Sequence, residues 1–71
     1  MYTVVIFRPY GKNGTILNKL FTLDSAIEAV YDEKDKYITD TRFEIYYDGK
    51  VIYKIKSGQT TGKFIQSQYA I

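Results

Sequence analysis

The chain has no cysteine, no histidine and no tryptophan, and only one proline and one methionine. Without cysteine there is no disulfide framework of the kind that staples small secreted domains. Without cysteine or histidine, zinc sites with nitrogen or sulfur ligands, thiol chemistry and a Ser-His triad are excluded. The side chain that titrates nearest neutral pH is missing with them. Long apolar runs are absent too. The longest, residues 4–7, is far too short to span a bilayer. The first residues show neither the basic start nor the apolar core of a signal peptide. These absences lead us to expect a soluble, cytoplasmic protein that is not an enzyme and carries no cofactor.

The 71 residues that are present are enough for one domain. A domain of this size buries only about 60% of the surface that its unfolded chain exposes, so self-association would be a cheap way to bury more. An apolar fraction of 45% with 17% aromatics marks a folded globule rather than a disordered chain. The net charge of +2 hides an asymmetry. Between Asp24 and Asp40 six acids face two lysines, while the remainder carries eight basic residues against two acids. An acidic solvated helix face accounts for the first group, and a dipole that steers a charged partner is the functional alternative.

Residues 2–8, "YTVVIFR", are β-branched and aromatic and stop at Pro9, which cannot donate a ladder hydrogen bond. Tyr2, Val4 and Ile6 fall on one face of this strand, and Val5 and Phe7 on the other. A strand apolar on both faces is central or has a face covered by a partner. "PYGKNGT" is turn chemistry, and residues 15–22 form a second strand of uncertain register. "LDSAIEAVYDEKDKYI" reads as a helix capped at Asp24 or Ser25, with Ser25 and Glu28 in a capping box. Ile27, Val30, Tyr31 and Ile38 make its apolar stripe, and the acids fill the opposite side.

"FEIYYDGKVIYKIK", residues 43–56, is a hairpin around Asp48-Gly49. A two-residue loop would put Phe43, Ile45 and Tyr47 on a face with Lys50 and Lys54. A three-residue loop, Tyr47-Asp48-Gly49, instead collects Phe43, Ile45, Val51, Tyr53 and Ile55 on one face. Arg42, Glu44, Tyr46, Lys50, Ile52, Lys54 and Lys56 then take the other. Because register decides which side chains enter the core, the three-residue loop is the expectation. The fold that follows is α+β, with an antiparallel sheet of β-β-α-β-β order and one helix packed on one face. Residues 1–56 form this core domain. Residues 57–71 form a flexible connector and a C-terminal arm, which docks as a short strand on the same protomer or a neighbouring one.

The remaining motifs carry little chemistry. Asp32, Glu33 and Asp35 lack the spacing and the glycine of a calcium loop. "GQTTGK" is one residue short of a phosphate-binding loop, and Phe64 stands where its hydroxyl belongs, so it reads as a linker. The eight tyrosines point to binding, since tyrosine offers a large contact area with few rotatable bonds. Tyr31 and Tyr53 read as core. Tyr10, Tyr46 and Tyr47 have no core role and become candidate contact residues, along with Arg42, Lys50, Lys54 and Lys56 and with Ile52 as an apolar anchor. The same basic face could hold phosphates with an aromatic stacked on a base.

The order of elements over residues 1–56 looks like that of the small accessory proteins with which phages bind and block host machinery, and most nearly the Dmd-type phage antitoxins. The residues that carry the likeness are Lys12-Asn13 in the first turn, and Asp48, Lys50 and Val51 at the hairpin. The C-terminal arm departs from that pattern. The resemblance implies an inhibitor or antitoxin-like protein that binds and blocks a host defence protein. A single-stranded nucleic-acid-binding module is the alternative. Either one could form a homodimer through the arm.

Overall fold

The structure is a computed structural model, and it describes residues 1–9, 11, 13–37 and 40–65. Strands β1 (Tyr2–Phe7) and β2 (Thr15–Leu20) come first, followed by helix α1 (Leu23–Lys34). Strands β3 (Arg42–Tyr47), β4 (Lys50–Lys56) and β5 (Lys63–Phe64) come after it. All five strands belong to one sheet of order β2-β1-β3-β4-β5, and every neighbouring pair is antiparallel. The architecture is therefore the expected α+β one. β1 is an inner strand, as its two apolar faces require, paired with β2 on one side and β3 on the other. The crossover through α1 carries the chain from the β2 edge back to the centre and lays the helix over β1, β2 and β3. Among the described residues no helix is long and apolar enough to cross a membrane.

Val4, Ile6, Phe43, Ile45, Tyr53 and Ile55 form the sheet's half of the core, and Ala26 and Val30 form the helix's half. The helix begins earlier than expected. Thr22, not Asp24 or Ser25, is the N-cap, with extended φ −122° and ψ 153°. Its Oγ1 accepts the Ser25 N–H at 3.1 Å. Leu23 packs against the core, which draws its own residue into the first turn and moves the cap ahead of it. The buried stripe is also rotated. Ala26, Val30 and the stem of Lys34 are buried, while Ile27 and Tyr31 flank them half-buried. The helix ends at Lys34, which leaves Tyr37 free to meet the Phe43 ring at 5.8 Å. Ile38, the last expected member of the stripe, lies outside the described residues.

The hairpin corrects the expected register. The loop is the two-residue Asp48-Gly49, with φ of 52° and 75°, and Tyr47 pairs with Lys50. Positive φ at both centres gives a turn whose twist matches that of the flanking strands. Alone, this loop would carry Tyr53 and Ile55 to the wrong face. A β-bulge prevents that: Tyr46 pairs with Val51 but Ile45 pairs with Tyr53, leaving Ile52 as the extra residue. Phe43, Ile45, Tyr53 and Ile55 thus reach the core as expected, while Val51 and Ile52 exchange places. Ile52 is buried, and Val51 sits beside Tyr46 on the other face.

Residues 57–62 are hydrogen-bonded to the sheet. Ser57 N–H donates to the Thr41 carbonyl at 2.8 Å, and Gln59 N–H to the Lys56 carbonyl at 3.1 Å. Gly62 N–H donates to the Tyr53 hydroxyl at 3.1 Å, and that hydroxyl lies 2.9 Å from the Tyr31 hydroxyl. A Cβ on Gly62 would collide with the end of the Tyr53 ring, so the absence of a side chain lets the backbone come this close. β5 then docks on β4 of its own chain, with Phe64 edge-on to Tyr53 at 4.8 Å. The rest of the arm, residues 66–71, lies outside the described residues.

Candidate binding face

One helix covers one side of this sheet, and among the described residues the other side is open. The cross-strand pairs order its side chains into rows. The first is Phe7, Arg42 and Lys56, and the second is Ile16, Val5, Glu44, Lys54 and Lys63. The third is Lys19, Thr3, Tyr46 and Val51. The face therefore has two halves. Over β1 and β2 it is a trough of about 380 Å³, lined by Thr3, Val5, Phe7, Ile16 and Tyr46 and closed at its ends by the turns at Gly14 and Gly49. Over β3, β4 and β5 it is a quadrant of four cations around one carboxylate.

That carboxylate is the quadrant's anchor. The Glu44 side chain is only 6% exposed, and Arg42 Nε lies 2.9 Å from its Oε2. Lys54 Nζ stands 4.0 Å from the same oxygen, and the Tyr46 hydroxyl donates to Oε1 at 2.6 Å. Burying a carboxylate requires such partners, because desolvation penalises an unpaired charge heavily. The hydrogen bond to Glu44 needs the phenol proton and so raises the pKa of Tyr46, with burial and the carboxylate's charge adding to it. The Arg42 guanidinium carbon also lies 4.3 Å from the Phe7 ring centroid, a cation–π contact.

The cations that remain are poorly paired. Arg42 sits directly across from Lys56, and Lys54 directly across from Lys63. Like charges directly opposite one another destabilise a sheet. Among the described residues no carboxylate forms an ion pair with Lys56 or Lys63. The acidic side of the molecule is elsewhere, on α1, where Glu33 Oε2 pairs with Lys36 Nζ at 2.6 Å and lifts the Lys36 pKa. Among the described residues no group of three or more acidic, histidine or cysteine side chains is placed to hold a metal ion.

Of the residues singled out from sequence, Arg42, Tyr46, Lys54 and Lys56 are brought together on the open face. Tyr47 and Lys50 are not among them. The two-residue loop turns this pair to the helix side at the sheet's rim, where the Tyr47 ring stacks on Tyr2 at 4.5 Å. Ile52 is buried at 6% exposure and offers no surface anchor, because the bulge rotates it inward. Tyr10 lies outside the described residues. Sequence reading missed Ile16, Thr3 and Lys63, which reach the face only through pairing with β1 and β4. It also missed Glu44 as the anchor. The signal for the trough was present in the second apolar face of β1, Val5 and Phe7. Comparison with known proteins gives no match: no protein family, no curated protein and no solved structure is similar to this chain.

Proposed function

We propose that the chain is a non-enzymatic binding module that engages an acidic protein through the open face of its sheet. Its resemblance to phage blockers suggests that it acts by occluding that protein in the cytoplasm. The observation that carries this reading is that two adjacent cross-strand positions each pair like charges, Arg42 with Lys56 and Lys54 with Lys63. The isolated sheet would be better off without them, and a negatively charged partner would turn that cost into attraction. Single-stranded nucleic acid is the second reading, since it too is an anion. It requires exposed rings on which bases stack. On this face Phe7 lies beneath the Arg42 guanidinium and the Tyr46 hydroxyl is held by Glu44, which favours protein.

The test compares the wild-type chain with the double variant Lys56→Glu and Lys63→Glu, which leaves the contacts of Glu44 in place. Each is immobilised and exposed to bacterial cytoplasmic extract at low and high salt, and labelled oligo-dT is titrated in parallel. A protein retained by the wild type, released by salt and lost in the variant supports the reading. Equal retention by both overturns it. Oligo-dT affinity that falls steeply with salt, without a retained protein, would establish the second reading instead.

A further inference from the structure

The two halves of the open face meet at Phe7, which floors one end of the apolar trough and lies under Arg42. The trough's floor continues along β1 to Val5 and Thr3, with Ile16 as a wall on β2. Gly14 closes it at the Phe7 end. A Cβ there would fall 2.5 Å from Val5 Cγ1 and 2.7 Å from Phe7 Cε2, so the β1–β2 turn presses directly on these side chains. Asp48 lines the opposite end. At the Phe7 end Arg42 and Lys56 line a hollow with Arg8 and Asp40, so three cations outweigh one carboxylate there, and Asp48 is the acid at the far end.

Arg42 is pre-set for a second anion. Its Nε lies 2.9 Å from Glu44 Oε2 and its guanidinium rests over the Phe7 ring. Among the described residues nothing engages its two terminal nitrogens. Those nitrogens form the end-on fork that matches a carboxylate with two parallel hydrogen bonds. Lys56, opposite Arg42 on β4, adds a second charge on the same row. The Arg42 guanidinium stands over Phe7 on β1, and Val5, which shares a row with Ile16, is two residues further along that same strand, a distance of roughly 7 Å. In an extended segment, two side chains on the same face are separated by that same distance.

We infer that the open face receives an extended acidic protein segment of pattern acid-x-apolar, with the carboxylate on the Arg42 fork beside Lys56 and the apolar side chain in the trough over Val5 and Ile16. This deepens the proposed function and rests on it. Glu44 acts here as a positioning residue: it touches no partner but holds the guanidinium in place. The polarity of the site also orients the segment, because Asp48 repels a carboxylate at the far end.

The test is an NMR titration of the isotopically labelled full chain. The probe is a decapeptide bearing one Glu-Thr-Leu step in a Gly-Ser background. Its counterparts carry Gln for the acid, Ser for the leucine, or two extra glycines between them. Expected are shifts of the Arg42 side-chain Nε–H and of the Val5 and Ile16 amides, with affinity roughly tenfold lower for each counterpart. The variant Arg42→Lys, which keeps the charge but loses the fork, should lower affinity by about the same factor. Glu44→Gln should also weaken binding, although it removes a negative charge from the face. Equal affinity for the Gln or widened peptide, or for Arg42→Lys, overturns the inference, as does a concentration-dependent rise in mass showing the face taken by a second copy. If no decapeptide binds but extract proteins are still retained through Lys56 and Lys63, this inference fails and the broader reading stands. Oligo-dT binding without peptide or protein binding removes both.

Discussion

On the helix-covered face, Val4, Ile6, Phe43, Ile45 and Ile55 are each at most 1% exposed. On the opposite face the same strands present Phe7, Val5, Arg42, Glu44, Tyr46, Lys54 and Lys56. The covered face is apolar at its centre, and its directional contacts are confined to its margin, where the Tyr53 hydroxyl meets Tyr31 and Gly62. The open face sets a largely apolar trough beside charges gathered around a single buried carboxylate. The contrast separates the residues that hold the domain together from those whose arrangement has no structural gain of its own. The like-charge pairs belong to the second group.

The comparison can be broken most forcefully at the centre of the covered face. Phe43→Ala removes a fully buried ring in contact with Tyr37. It should cost about 3–5 kcal/mol, enough to unfold much of so small a domain, and urea denaturation would show this. Alkaline pH attacks the same side next. Burial first, and then the hydrogen bond with Tyr31, push the Tyr53 phenol up to about 12. The folded state therefore keeps this proton when the unfolded chain has lost it. The contribution is fully present below pH 10 and is lost as pH rises from about 10 to about 12, on the order of 2–3 kcal/mol in all. Tyr53→Phe should flatten this segment of the stability–pH curve.

Gly62→Ala sharpens the role of the β5 connection. Its methyl must displace the Tyr53 ring, which should cost about 1–3 kcal/mol in urea titrations. On the open face, Glu44→Ala leaves Arg42 and Lys54 facing each other and strands the Tyr46 hydroxyl. A loss of about 1–2 kcal/mol is expected, along with a fall of the Tyr46 pKa toward the ordinary phenol range, readable by ultraviolet titration. Smallest is Lys56→Gln, which should change stability by no more than about 0.5 kcal/mol, or raise it slightly by relieving Arg42. A loss above about 1 kcal/mol would mean that the lysine has a structural role and would weaken the division between the two faces.

Most of the covered face was legible in the sequence, and the open face only in part. Phe43, Ile45, Tyr53 and Ile55 alternate as a half-buried hairpin does, and Pro9 and Asp48-Gly49 mark the ends and turns of strands by their backbone chemistry. The helix was visible by its period, but not its first turn: Thr22 rather than Ser25 caps it, because the burial of Leu23 decides where the helix starts. The loop length at Asp48-Gly49 was misread for a related reason. Local pattern asked only that Tyr53 face the core. A longer loop and a bulge at Ile52 both satisfy that demand, and they differ in whether Ile52 or Val51 points inward. Tyr47 and Lys50 left the proposed surface with that choice.

The order of the strands and the helix, the apolar set beneath that helix, and the separation of an acidic segment from a basic remainder were determined by the sequence alone. They depend on side-chain period and turn chemistry, which act between near neighbours in the chain. Only the tertiary structure decided that Arg42 would lie on Phe7, that Glu44 would be buried between Arg42, Lys54 and Tyr46, and that Lys63 would stand against Lys54. Those contacts depend on register between strands distant in sequence, and one bulged residue is enough to reassign them.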